Sequence, residues 1–201
     1  MHLLSFLVPC LLLILVTGIT GCSAPGSSSA PVPVSVGSPS LTASPAGSAG
    51  SLTLQVGSLT PGSLVPAIST CTGANESPSV SWDMIPGGTK SLVLILDDPD
   101  APAGTFTHWI VYNIPPVAGG FSAGIPDKNV PDNGAQVGNN SAGSRGYYPP
   151  CPPIGSTHRY VFRLYAVDMD ITQPIANRES VDGALSGHTI AETEFVTYFR
   201  R

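Results

Sequence analysis

The sequence predicts a mainly β domain carried behind an N-terminal leader and a long linker. Three observations point there. Only 10% of the 201 residues are charged, while 22 Gly and 21 Pro punctuate the chain. That composition suits short strands joined by many turns and fits a helix bundle poorly. Leu92-Val93-Leu94-Ile95-Leu96 is a continuous apolar run bounded by turn signals, the pattern of a fully buried strand. The first formally charged side chain is Glu76, so the N-terminal third is not ordinary folded surface. With 13 acidic and 8 basic side chains the net charge is −5. No basic stripe exists, which argues against a nucleic-acid partner.

Residues Leu3 to Val16 form an apolar run interrupted by Pro9. A spanning helix needs about 20 residues, and this run has instead the length of a signal-peptide core. Ile19-Thr20-Gly21-Cys22 follows, and small residues before a cysteine resemble a prokaryotic lipobox, in which Cys22 is lipidated and becomes the mature N-terminus. No Lys or Arg precedes the apolar core, a departure from the usual signal-peptide form. Residues 1–21 are therefore expected to be a lipoprotein signal peptide. Residues 22–50 are expected to be the lipidated Cys22 and a disordered Ser/Pro/Gly/Ala-rich linker, too poor in apolar side chains to offset its ordering entropy. As a flexible coil it spans roughly 30 Å. The protein is expected to be exported and held at a cell-envelope membrane by its lipid anchor.

The folded domain is expected over 51–201. Leu52, Leu54 and Val56 alternate with polar residues, the period of a half-buried strand. Thr60-Pro61-Gly62 marks a turn, and Val80-Ser81-Trp82 reads as a short strand. The buried run at 92–96 ends in Asp97-Asp98-Pro99-Asp100-Ala101-Pro102, a stiff turn carrying three carboxylates. Thr107 to Ile114 is the next strand, and Pro115 to Pro153 a long Gly/Pro/Asn-rich region. Tyr160 to Val167 is a strong strand. Ala184, His188, Ala191, Phe195 and Tyr198 recur at helical spacing, which predicts a C-terminal helix capped by Ser180 or Asp182, with His188 packed on its apolar face.

After processing, two cysteines remain, Cys71 and Cys151. In an exported domain an even pair implies a disulfide, with two separate thiols as the alternative.

The chemistry-bearing residues cluster around two strand ends. Asp98 and Asp100 lie at the mouth of the buried strand, and His108 opens the next one. A proline-stiffened loop, Tyr148-Pro149-Pro150-Cys151-Pro152-Pro153, leads into His158-Arg159-Tyr160. Strand alternation puts His158 and Tyr160 on one face and Arg159 on the other. Imidazole and phenol supply hydrogen-bond donors for an anion, and a nearby carboxylate favours the imidazolium form. The competing reading is structural, since Asp-Pro-Asp is also a good turn sequence.

Asp98-Pro99-Asp100-Ala101-Pro102, His108 and Pro152-Pro153-x-Gly155-x-x-His158-Arg159-Tyr160 resemble the two signature blocks of the phosphatidylethanolamine-binding protein (Raf kinase inhibitor-like) family. Cys71-Thr72-Gly73-x-Asn75-x-Ser77-Pro78-x-Val80-x-Trp82, Cys151-Pro152-Pro153 and Gly187-His188-x-x-Ala191 resemble blocks of its bacterial and archaeal branch. The resemblance covers 51–201. It implies antiparallel Greek-key β sheets with a short C-terminal helix. It also implies a pocket of Asp98, His108, His158 and Tyr160, with Asp100, Cys151 and Pro152 shaping the wall and Asp97 relegated to the turn. The ligand so implied is a small anion or a phosphoethanolamine-type headgroup, and the family's regulatory roles add a protein partner. The expected function is non-catalytic binding, without a cofactor. The alternative is a phosphoester hydrolase or other acid/base enzyme using the same Asp/His pocket. Against it stands the absence of a His-Glu-x-x-His pair.

Overall fold

The computed structural model describes residues 51–117, 119–125 and 134–201. The expected signal peptide over 1–21, Cys22 and the linker to residue 50 lie outside these described residues.

The centre of the fold is an antiparallel sheet ordered β6-β4-β3-β7-β8. It is built from β3 (Ser91–Asp98), β4 (Phe106–Ile114), β6 (Gln136–Val137), β7 (Thr157–Val167) and β8 (Thr189–Arg200). A second antiparallel sheet, β1-β2-β5, comprises Thr53–Val56, Val80–Asp83 and Gly119–Phe121. The β3–β4 hairpin is local. The chain then visits the small sheet as β5 and returns to the edge as β6. Only afterwards does β7 pair with the free side of β3. This non-local return gives the expected Greek-key character.

All eight residues of β3 are buried because both faces of the central sheet are covered. On one face Leu92, Leu94 and Leu96 pack with Trp109, Tyr160, Phe162 and Leu164, and with Val56, Val80, Trp82 and Phe121 of the small sheet. On the other, Val93 and Ile95 pack with Ile110, Tyr112, Tyr165, Ile171 and Val181. Val181 belongs to α1 (Arg178–Leu185), so the helix caps that second layer. A run that reads as continuously apolar is thus two alternating rows facing two cores.

The expected short C-terminal helix is present, but its extent through Ala191, Phe195 and Tyr198 is corrected by the structure. The helix ends at Leu185, and Thr189–Arg200 is strand β8, paired with β7 along its length. The buried or half-buried row Ala191, Thr193, Phe195, Thr197 and Phe199 has period 2. Thr189, Ile190, Thr193, Val196 and Thr197 are β-branched and favour that pleated surface. The cap is Asn177, whose side chain accepts from Ser180 N while Ser180 Oγ accepts from Asn177 N, a reciprocal capping box. His188 is not packed in a core. It is exposed and pairs with Asp168 at 2.8 Å.

The Cys71–Cys151 disulfide is formed, with Cα atoms 5.4 Å apart. It fixes the turn Ala67–Ser69 and its continuation against the 148–153 loop, helped by Cys71 N donating to Pro150 O at 3.1 Å and Tyr147 Oη donating to Ser69 O at 2.6 Å. Gly73 is required there: a Cβ on it would lie 2.0 Å from the Ala67 carbonyl oxygen.

Candidate functional site

A β-bulge places the first histidine. Leu96 pairs with Trp109, but the next residue, Asp97, pairs with Thr107, so His108 is the extra residue in β4. The bulge puts His108 beside Trp109 on the face that carries Tyr160, with ring centroids of His108 and Tyr160 5.3 Å apart. The main-chain oxygen of His108, freed from the ladder, accepts from Tyr148 N at 2.8 Å. Its Nδ1 meets Tyr148 O at 2.8 Å. A carbonyl oxygen only accepts, so Nδ1 carries the proton. Two reciprocal bonds to one residue therefore lock the ring. The 140–146 turn supports the clamp: Asn140 Oδ1 accepts from Ala142 N and Ser144 N, and its Nδ2 donates to Ser144 Oγ and Gly146 O.

The second histidine comes from β7. His158 and Tyr160 are buried and Arg159 is exposed, as alternation requires. His158 Nδ1 donates to Asp98 Oδ2 at 2.7 Å, with both side chains nearly buried. Asp98 Oδ1 accepts from Asp100 N at 2.9 Å, closing the turn after β3. Asp98, His108, His158 and Tyr160 are thus neighbours, at the end of the central sheet where β3 finishes and β7 begins.

Asp100 stands outside this cluster. Its carboxylate takes Arg159 N at 2.8 Å and the Arg159 guanidinium at Nε and Nη2, at 2.9 and 2.6 Å. These hydrogen bonds to Arg159 pull the Asp100 carboxyl down to about 2. It clips the 98–102 turn onto β7 and so steadies Asp98. Pro152 is buried, and Cys151 is exposed with its sulfur in the disulfide. Asp97 departs from its expected turn duty. It is the penultimate residue of β3, is 1% exposed, and points to the α1 layer. There it accepts from Thr107 Oγ1 at 2.8 Å and pairs with Arg163 at 3.3 Å and with Arg178.

The electrostatics are set by burial. Desolvation holds the His108 imidazole below its usual value, opposed by the Tyr148 carbonyl and Asp98. Burial, with the Asp98 carboxylate, pushes the Tyr160 phenol well above its usual range, so it keeps its proton. Tyr160 is fully buried, and its Oη has no hydrogen-bond partner among the described residues. Asp98 and the Cys151 backbone lie close enough to bias its ionisation, but neither meets it with hydrogen-bond geometry. Among the described residues neither histidine uses Nε2. Three polar atoms on adjacent side chains are therefore uncommitted. Among the described residues no Ser, Thr or Cys side chain is hydrogen-bonded to either histidine.

Sequence reasoning missed two contributors. Tyr148 acts through its main chain, which no side-chain motif reveals. Arg159 was legible as the residue facing away from the pocket, but its clip onto Asp100 depends on the turn geometry.

A two-layered antiparallel β fold with one short C-terminal helix and a small polar cluster at one sheet end defines the class of β protein. Residues 55–200 match the family model "Phosphatidylethanolamine-binding protein", and the chain belongs to that family. A "UPF0098 protein" of Methanothermobacter thermautotrophicus is 46% identical over 139 residues, covering 68% of this chain and 91% of the relative. A Mycobacterium tuberculosis protein named "Putative lipoprotein LppC" is 37% identical over 167 residues, 81% of this chain and 79% of the relative. The crystal structure of the phosphatidylethanolamine-binding protein homologue CT736 from Chlamydia trachomatis superposes with a TM-score of 0.68 at 35% identity, covering 75% of this chain and 98% of that one.

Proposed function

We propose that this protein is a membrane-tethered, non-catalytic binding protein whose pocket holds a phosphate-type anion, free or as a phospholipid headgroup. The observation that carries the reading is the buried, unpartnered Tyr160 Oη beside two imidazoles with unused Nε2 atoms. A buried hydroxyl left unpaired is costly, and a ligand oxygen removes the cost. Asp98, His108, His158 and Tyr160 make the contacts. Asp100, Cys151 and Pro152 hold the wall. Among the described residues Cys151 is in a disulfide and no side-chain hydroxyl or thiol is bonded to either histidine, which favours binding over the hydrolase alternative. The lipobox-like Cys22 and the relative named as a lipoprotein support the tether and an exported location. A protein partner at the pocket rim belongs to the same reading.

Titration calorimetry with inorganic phosphate and with phosphoethanolamine tests the pocket. The His108→Ala/His158→Ala double variant is expected to lose binding. Affinity equal to that of the parent protein removes the proposal. Mass spectrometry of protein extracted from membranes tests the tether through the mass added at Cys22.

A further inference from the structure

We infer that the pocket selects a singly protonated phosphoryl group, the monoanion of a phosphomonoester or of inorganic phosphate, over a phosphodiester. The inference rests on the anion-binding reading above and deepens it. Its basis is the tautomer that the fold imposes on His108. The Nδ1 proton is held by the Tyr148 carbonyl, which cannot donate in return. In the neutral ring Nε2 is then a lone pair, and it needs a donor from the ligand. His158 Nδ1 is taken up by Asp98 Oδ2, so the tautomer argument rests on His108.

A second proton on His108 is opposed by burial of the ring, the largest influence, and by His158, while the Tyr148 carbonyl, Asp98 and Asp97 favour it; the balance disfavours the imidazolium. Tyr160 supplies the opposite polarity. Its proton is retained, so Oη donates to a phosphoryl oxygen. The Asp98 carboxylate disfavours a dianion at this place. The complement of His108 Nε2 and Tyr160 Oη is an oxyanion that carries one P–OH and one P–O⁻. A diester carries the charge but no P–OH, and leaves Nε2 against a ligand lone pair. Sites built to pair a hydrogen-bonding group reject analogues that lack it.

The test is calorimetry on the full chain at pH 7 with methyl phosphate and dimethyl phosphate, repeated in two buffers of different ionisation heat. The second pKa of a phosphomonoester is about 6, so the dominant dianion must take up close to one proton per site on binding. Methyl phosphate is expected to bind with that uptake, and dimethyl phosphate at least about tenfold more weakly. Equal binding of the two esters overturns the inference while leaving the pocket intact, because it means that His108 donates. Methyl phosphate binding without proton uptake overturns it as well. If neither ester nor phosphate binds, the anion-binding reading itself falls, and the inference with it. Vesicles resolve the source of the group. Competition with methyl phosphate by phosphatidic acid places it on a lipid, and its absence places it on a soluble ester. Competition by phosphatidylethanolamine vesicles, whose headgroup is a diester, at equal concentration overturns the selectivity.

Discussion

Asp97 and Asp98 are consecutive residues of one strand, and their carboxylates serve opposite layers of the protein. Asp98 accepts from His158 at 2.7 Å in the pocket layer, whereas Asp97 pairs with Arg163 at 3.3 Å and with Arg178 in the helix layer. Strand alternation alone produces the split. Arg178 is the first residue of α1, so Asp97 pins the helix to the back of the sheet that carries Asp98 and His158.

Asp97→Asn is expected to destabilise the fold without emptying the pocket. It keeps a side chain that can bond Thr107 but strips two arginines of their common anion. Removing one partner of a buried ion pair is costly, and the arginine side chains here are about one-third exposed, which moderates the loss. The expected cost is about 2–3 kcal/mol in urea denaturation, with phosphate affinity changed by less than about twofold. The reverse pattern, intact stability with lost binding, would transfer Asp97 to the pocket.

The disulfide separates its two effects in the same way. It spans 80 residues, and the chain-entropy model gives about 4 kcal/mol for such a loop. The Cys71→Ser/Cys151→Ser variant is therefore expected to unfold at a clearly lower denaturant midpoint. The bridge also anchors the loop whose Tyr148 clamps His108. Faster hydrogen exchange at the Tyr148 amide is expected in the variant under native conditions, while amides of β3 exchange only through global unfolding. Unchanged exchange at Tyr148 would show that the 140–146 turn alone holds the clamp.

The legible parts of this chain were those where one local rule had no rival. The run Leu92–Leu96 could only be a covered strand, and His158-Arg159-Tyr160 alternates as any strand must. The C-terminal segment had two rules in competition. Ala184, His188, Ala191, Phe195 and Tyr198 fall at helical spacing by coincidence, while Ala191 to Phe199 also carries a period of 2; pairing with the long β7 decides between them. Its β-branched residues were the available signal. The bulge at His108 left no trace in the sequence, because it is a mismatch between two strands. Without it His108 would face the helix layer instead of Tyr160. The Asn177–Ser180 capping box was readable, and it marks the helix start more firmly than Ser180 or Asp182.

His108 ties stability to pH with a definite sign. Its folded-state value lies below the unfolded value of 6.5 because the ring is buried. Well above pH 6.5 both states are neutral and the group has no effect. As pH falls below 6.5 the unfolded chain takes the proton first, so stability drops until the folded ring protonates too. Urea midpoints measured between pH 5 and 7 are expected to rise with pH, and His108→Asn is expected to flatten that slope. An equal slope in the variant assigns it to another group.

Tyr160→Phe offers a sharper discrimination, because structural and binding roles predict opposite signs. In the free protein Oη is buried without a partner and contributes an unpaid desolvation cost. Replacing it with hydrogen keeps the ring packed between the sheets, where Tyr160 joins Leu96, Trp109 and Phe162. The unliganded variant is expected to be as stable as the parent or about 1 kcal/mol more stable. Phosphate affinity is expected to fall about tenfold, the loss of one hydrogen bond to a charged acceptor. Denaturation and calorimetry on the same preparation read both quantities. If the variant is less stable and binds phosphate as before, the hydroxyl is a structural donor to an ordered water, and the pocket loses its central contact.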